Sequence, residues 1–304
     1  MRNQIKCNDF VWHHFKKPNK ADFDFMQKNF DFHPLDYEDI RTDTPISKID
    51  TYPKYVFCVF HVPFLDPQTK RIGGDDFFVF ISKHVLVTNT NTPIPAVDSF
   101  FQNLNQDKKL RDEISRKGTA YLLYKILLLV FDGSYPLIED LSDTVSRLED
   151  SLQSRNVKQV TIDLAAARRN LLYLRHIIDP QRHMLSTLIA IKRPFLPNEI
   201  NPYFDDVLDT LETMYLTADN LNSIIDGLFE ANEAFLSHKT NDIITILTVM
   251  SASLMVPTLI SGFYGMNVSW LPYHYDPSIV GSLFVISFFG VLISILWIIR
   301  RKKL

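Results

Sequence analysis

The sequence predicts an α+β fold, a mixed sheet with helices, followed by a long stalk helix and two transmembrane helices. Three observations carry that prediction. Residues 1–137 mix β-branched and aromatic runs with helical patterns, a helical pattern free of proline leads up to Pro257, and two segments near the C-terminus contain no ionisable side chain.

Within residues 1–137, Lys54 to Leu65 reads as a strand, and Asp76 to Asn91 reads as two strands joined by a turn near Ser82-Lys83-His84. Helical patterns fall around Asp22 to Asn29, Ala96 to Leu104 and Thr119 to Phe131. Tyr121 to Phe131 is apolar but short and contains Lys125, so it is expected to be a buried helix and not a span. Residues 138–197 carry apolar positions at helical spacing among many charges, as an amphipathic helical hairpin would. Pro194 and Pro197 then interrupt the pattern, because proline lacks the N–H a helix needs. In the stalk, residues 198–242, Val207, Leu211, Met214, Ala218, Leu221, Ile225, Leu228 and Phe235 recur every three or four residues, with Asn232 breaking the stripe. An unbroken helix from Tyr203 to Gly262 would extend ~90 Å. It cannot bury such a stripe alone, so neighbouring helices must cover it.

The first apolar segment, residues 243–263, holds 21 residues, and the second, residues 278–299, holds 22. At a rise of ~1.5 Å per residue, each crosses a hydrocarbon core ~30 Å thick. Arg300, Arg301, Lys302 and Lys303 lie in the basic tail, 300–304, while the connecting loop, 264–277, has no Lys or Arg. That asymmetry predicts an integral membrane protein with two spans and both termini in the cytoplasm. No apolar run at the N-terminus resembles a secretory signal, and Cys7 and Cys58 lack metal-ligand spacing.

The net charge of −3 hides a strong local bias: Glu199 to Asp242 contains ten acids and one base, Lys239. Such a segment favours cations and disfavours nucleic acid. No phosphate loop occurs, and neither Asp75-Asp76 nor Asp205-Asp206 has a nucleophile or histidine beside it, so no catalytic residues and no organic cofactor are expected. One face of the first span reads Asn241, Ile244, Thr248, Ser251, Met255, Thr258, Gly262. Small residues on that face are consistent with close helix packing, or with a pore lined by hydroxyls and an amide in which Ile244 and Met255 form apolar constrictions. Asn241 and Asn267 at its two ends favour the pore. Two spans cannot enclose a water-filled path, so a pore requires several identical subunits. Gly265, Met266 and Asn267 stand at the outer end, where turn carbonyls and an amide offer neutral oxygens to a hydrated ion. Mg2+ dehydrates reluctantly and suits such a filter.

Tyr264-Gly265-Met266-Asn267 between two spans resembles the signature of the CorA family of magnesium transport proteins. The stretches Phe32 to Ile40, Phe57 to Pro63, and Tyr121 to Tyr124 with Asp132 and Tyr135-Pro136 are similar to that family as well. The resemblance implies a homopentamer in a bacterial or archaeal inner membrane, with a stalk helix continuing into a pore-lining first span. Counted back from Asn267, it implies that Asn241, Met255, Thr258 and Gly262 match family pore positions. It also implies a regulatory metal site at Asp206, paired with acids of a neighbouring subunit's α/β domain, for which Asp75 and Asp76 are candidates. Mg2+ is then both transported and regulatory ion. The outer loop departs from the family, with Trp270 to Asp276 in place of a Met-Pro-Glu-Leu string, which leaves the preferred ion open between Mg2+ and Co2+, Ni2+ or Zn2+. A membrane-tethered metal sensor without conduction is the alternative from another class.

Overall fold

A computed structural model of the chain describes residues 2–42, 46–152, 157–266, 268, 272–273 and 276–302. It divides into two units, Met1–Phe229 and Glu230–Leu304.

The first unit is built on six strands, β1 (Arg2–Lys6), β2 (Val11–Lys16), β3 (Lys48–Thr51), β4 (Tyr55–Leu65), β5 (Ile72–Ser82) and β6 (Val85–Thr90), in the order β1-β2-β6-β5-β4-β3. Among the described strands only β2 and β6 pair in parallel. The sheet is therefore mixed, as the sequence predicts. Both faces are buried, so the central strands lose the polar alternation of a half-exposed sheet. One face presents Trp12, Val56, Cys58, Phe60, Phe77, Val79, Ile81 and Leu86 to α3 (Pro95–Gln106) and α5 (Thr119–Asp132). The other presents Phe15, Phe57, Phe78, Phe80 and Val87 to α1 (Lys20–Asn29) and α2 (Pro34–Arg41). The apolar run Tyr121 to Phe131 is thus a core helix.

Strands β1, β2 and β3, helix α2 and helix α4 (Lys108–Lys117) add to the elements that the sequence pattern predicts. Polar residues disguise them. In β2, His14 is buried because its two ring nitrogens are engaged, Nδ1 with Thr88 Oγ1 at 2.8 Å and Nε2 with Asp98 Oδ1 at 3.3 Å. Nε2 faces the Asp98 carboxylate, which can only accept, so Nε2 carries the proton of the neutral ring, and Nδ1 accepts from the Thr88 hydroxyl, whose oxygen in turn accepts from Trp12 Nε1 at 2.9 Å. Helix α2 starts with His33 as N-cap and Pro34 in its first turn. Its Asp36 is fully buried and accepts from Tyr52 Oη at 2.9 Å and Tyr55 Oη at 2.7 Å. Asp36, Asp39 and Asp50 come together there, but the Lys48 ammonium already bridges Asp39 at 2.6 Å and Asp50 at 2.9 Å. The Phe32 to Ile40 stretch is thereby explained as a structural corner.

Helices α6 (Tyr135–Ser151) and α7 (Val157–Ala190) form the expected hairpin. Helix α7 continues through Pro180, which cannot donate to the helical ladder. Two of its amides clasp the sheet. Strand β3 pairs with β4 as far as Val59, two residues short of His61. Gln181, fully buried, takes the strand's place: its Oε1 accepts from His61 N at 3.1 Å and its Nε2 donates to His61 O at 2.9 Å. Asn170 does the same near the start of β5, accepting from Ile72 N at 3.3 Å and donating to Lys70 O at 2.9 Å.

After a bridge between Arg193 and Leu196 and a 3-10 turn at Asn198–Ile200, α8 runs from Asn201 to Tyr264 as one helix of 64 residues. Up to Phe229 its stripe of Phe204, Val207, Leu211, Met214, Ala218, Leu221, Ile225 and Leu228 is buried in the core shared with α5, α6 and α7. Helix α9 (Pro277–Lys302) closes the chain. Among the described residues, three segments are long and apolar enough to span a membrane, but the apolar window in Thr119–Ser151 is 56% buried in the protein against 17% and 0% for the windows in α8 and α9. Burial identifies the first as core and leaves α8 and α9 as the spans.

Replacing Gln181 by leucine strands a buried N–H and C=O of His61. The expected cost is about 1–3 kcal/mol, measured by denaturant unfolding of the first unit's fluorescence in the full chain in detergent. No change in the midpoint would mean that the clasp is dispensable.

Candidate ion path and metal site

In the second unit, every residue of the face singled out from sequence lies exposed on α8: Asn241, Ile244, Thr248, Ser251, Met255, Thr258 and Gly262. The buried positions are Val249, Ser253 and Pro257, four residues apart, with Ala252, Val256 and Ile260 half-buried beside them. From Val249 onward the helix therefore has a buried side that the singled-out residues avoid, whereas every position from Asn241 to Thr248 is exposed, as are Met250, Leu254 and Leu259. Ser251, Met255, Thr258, Gly262 and Met266 line an open groove of about 570 Å3 together with Leu254, Leu259 and Phe263. Thr248 and Thr258 donate their hydroxyls to the carbonyls of Ile244 at 2.8 Å and Leu254 at 2.7 Å, which leaves oxygen lone pairs outward. At Gly262 a Cβ would meet nothing within 4 Å, so packing inside the chain does not require glycine there. Gly265 differs: a Cβ would stand 2.9 Å from the Ser261 carbonyl, which itself accepts from Gly265 N at 2.8 Å. Glycine is what allows the helix to end in that tight turn. Met266 N reaches back to Phe263 O at 3.2 Å. Asn267, and Trp270, His274 and Tyr275 of the outer loop, lie outside the described residues.

The acids of the stalk divide into two groups in the first unit. Arg168, Arg175 and Arg182, seven residues apart on α7, pair with Asp226 at 3.1 Å, Asp219 at 2.9 Å and Glu212, where Arg182 Nε donates at 2.6 Å. Those three acids are also seven apart, in reverse order, as antiparallel helices demand. Each guanidinium lies over an aromatic ring of α8, Arg168 on Phe229 and both Arg175 and Arg182 on Tyr215. Exposed pairs contribute ~0–1 kcal/mol each, whereas a buried Leu, Ile or Phe contributes ~1.5–3 kcal/mol. The apolar stripe holds the helices together, and the ladder sets their register.

Asp206 and Asp209 stand outside that ladder. With Asp132, Tyr135, Thr210 and Thr213 they line an open, solvent-exposed hollow of about 480 Å3. The Tyr124 hydroxyl donates to Asp206 Oδ2 at 3.3 Å. Burial first, and the charge of Asp206 second, lift the Asp132 carboxyl above its ordinary proton affinity. The donors are all oxygens, carboxylate and hydroxyl, a set that suits a hard cation such as Mg2+ better than a softer metal. Asp75 and Asp76 do not line this hollow. On β5, Asp76 Oδ1 lies 3.1 Å from His61 Nε2, and Asp75 is hydrogen-bonded by Thr92, with burial raising its carboxyl. Tyr124, Asp132 and Tyr135 are the residues around Asp206 that a search along the stalk helix alone overlooks. The signal for them was present, since all three fall in the stretch of resemblance ahead of the hairpin.

The chain matches a known family over nearly its whole length: the model described as CorA-like Mg2+ transporter protein covers residues 8–302. The chain belongs to the CorA-like Mg2+ transporter family. Its members transport ions, so this chain is a membrane transporter of divalent cations and not an enzyme. Among curated proteins, it is 28% identical to the cobalt/magnesium transport protein CorA of Thermotoga maritima over 243 residues, 80% of this chain and 68% of that one. It is 20% identical to the zinc transport protein ZntB of Yersinia pseudotuberculosis over 74% of this chain and 66% of that one. Among solved structures, the CorA magnesium transporter of Methanocaldococcus jannaschii matches with a TM-score of 0.81 at 20% identity, covering 96% of this chain and 90% of that one. That likeness fixes the CorA fold.

Because Asp132 is raised by burial and by Asp206, its side-chain titration followed by carboxyl 13C NMR should have a midpoint above 3.8, the ordinary value. Asp206→Asn should lower that midpoint part of the way. An unchanged midpoint would mean that the two carboxylates do not sense each other.

Proposed function

We propose that this CorA-like transporter is a passive Mg2+ channel, assembled from five identical subunits in keeping with the family resemblance, driven by the membrane potential and gated by cytoplasmic Mg2+. The observation that carries the proposal is the exposed face Asn241 to Gly262, amide, hydroxyl and glycine at helical spacing on the side of α8 away from its buried stripe. Arranged around a shared axis, these faces would line a path, with Ile244 and Met255 as the apolar narrowings that gate by dewetting. Gly265, Met266 and Asn267 would form the filter at the outer mouth, coordinating a hydrated ion through neutral oxygens. With both termini in the cytoplasm, a doubly charged ion gains ~4.6 kcal/mol per 100 mV on entry, enough for uptake without a nucleotide.

Gating is assigned to Asp206, beside Asp132 and Asp209, with acids of a neighbouring subunit's α/β domain such as Asp75 or Asp76 completing the site. At ~4 Å two carboxylates repel by roughly 4 kcal/mol for an effective dielectric of 20. A bound cation removes that repulsion. Metal bound preferentially to the closed state then shifts the population towards closure when the cell is replete. One helix, α8, carries both the acids and the proposed pore face. The runner-up is transport of Co2+, Ni2+ or Zn2+, suggested by the names of the relatives. The oxygen-only donors around Asp206 favour Mg2+ as the regulatory ion.

Side-by-side flux of Mg2+, Co2+, Ni2+ and Zn2+ into liposomes with an imposed potential tests the ion assignment, with Mg2+ uptake expected to lead. In the same assay Asn267→Ala should abolish uptake while leaving the oligomer intact on size exclusion. Wild-type rates in that variant would remove Asn267 from the filter.

Cysteines at positions 258 and 262 should react with a membrane-impermeant thiol reagent under Mg2+-free conditions, and cysteines at 256 and 260 should not. Equal labelling at all four positions would refute a pore along this face.

A further inference from the structure

His14 is a titratable ring that the ion path does not use, and it is fully buried. It lies on the sheet face covered by α3, between Asn3 of β1 and Thr88 of β6, both uncharged. The ring meets Trp12 at 6.1 Å and Phe101 at 5.9 Å between centroids. Asp98, in the first turn of α3, reaches Nε2 with its Oδ1, and the same oxygen accepts from Lys16 Nζ at 2.6 Å. Asp98 and Lys16 are the charges that act on the ring. The polar fastening of α3 to β2 thus converges on one carboxylate oxygen.

We propose that His14 is an acid-sensitive latch: a proton taken from solvent onto Nδ1 loosens the first turn of α3 from β2, so that this side of the first unit opens as the pH falls. The neutral ring fits because each nitrogen has a complementary partner. A second proton turns Nδ1 from acceptor into donor. Thr88 Oγ1 would then accept from Nδ1 as well as from Trp12 Nε1, and the Thr88 proton would lose the bond it makes, in a fully buried position. The new positive charge also competes with Lys16 for Asp98 Oδ1. Burial disfavours the charged ring most, and although Asp98 pulls the other way, the proton affinity of His14 lies below the ordinary 6.5. Once the latch opens, the ring regains its ordinary affinity, so the open form binds the proton more tightly. The latch therefore holds above pH 6.5 and weakens as pH falls through that value, until the seated ring titrates as well. Phe100 and Phe101 rest on Trp12 at 5.9 and 4.8 Å and keep the rest of α3 seated, which confines the loosening to the first turn.

The test is amide hydrogen exchange of the full-length protein in detergent, compared between about pH 7.5 and about pH 5.5 after correction for intrinsic exchange. Peptides from β2 and from the first turn of α3 should lose protection on the order of 10-fold relative to those from β4, since each unit of difference in proton affinity is a factor of ten in the opening equilibrium. His14→Gln keeps an acceptor for Thr88 and a donor for Asp98 but does not titrate, so the same peptides should show no such loss in that variant. Equal loss in wild type and variant overturns the latch, and so does a wild type whose protection in β2 and α3 is independent of pH. Should His14→Gln fail to fold, Trp12 fluorescence decides, with Trp270→Phe and Trp297→Phe removing the other two tryptophans. An imidazolium beside an indole quenches it, and the midpoint of quenching is expected below 6.5. A midpoint at or above that value, or a signal that does not change with pH, overturns the proposal.

Discussion

The long helix α8 imposes the constraint from which the rest of the chain follows. A helix of 64 residues with a continuous apolar stripe cannot remain in water unaccompanied, because helical propensity alone does not offset an exposed stripe. Up to Phe229 the stripe is covered by helices of the same chain, and in Ile243 to Phe263 the side chains suit lipid or other subunits. The sheet and its helices serve this arrangement. Gln181 and Asn170 fix α7 to β4 and β5, and α7 in turn packs along α8, so the N-terminal part of the stalk is as firmly placed as the core.

Electrostatics refines what apolar burial builds. The stalk sequence is strongly acidic, yet much of that charge is matched locally by arginines that the sequence places on another helix, at the same seven-residue interval. Of the unpaired acids, Asp206 and Asp209 lie beside Asp132. Charge on a stalk is therefore a poor guide to metal binding until the paired acids have been subtracted. The same lesson applies at the α2 corner, where three carboxylates converge and a lysine from β3 already occupies the middle.

Much of the architecture was legible in the residues. Uncharged apolar runs reveal spans because lipid tolerates few alternatives, and the stripe of α8 reveals itself because its period is sustained for many turns. The open face from Asn241 to Gly262 was legible for the same reason, and the glycine turn at Gly265 has its cause in a backbone oxygen 2.9 Å from the missing Cβ. Strands β1 and β2 and the corner helix α2 were hidden because their buried positions include His14 and Asp36, whose burial depends on partners distant in sequence. Asn232 was read as an interruption of the stripe, but it is buried in line with Leu228.

By itself the sequence determined the mixed α+β class, the two spans, the long helix and the side of that helix free of bulky packing, since each is a local or periodic property of side-chain polarity. Only the tertiary structure decided which acids are neutralised and which residues surround Asp206. Those are matters of what stands opposite a residue across other elements, and neither spacing nor composition along one chain encodes the opposing partner.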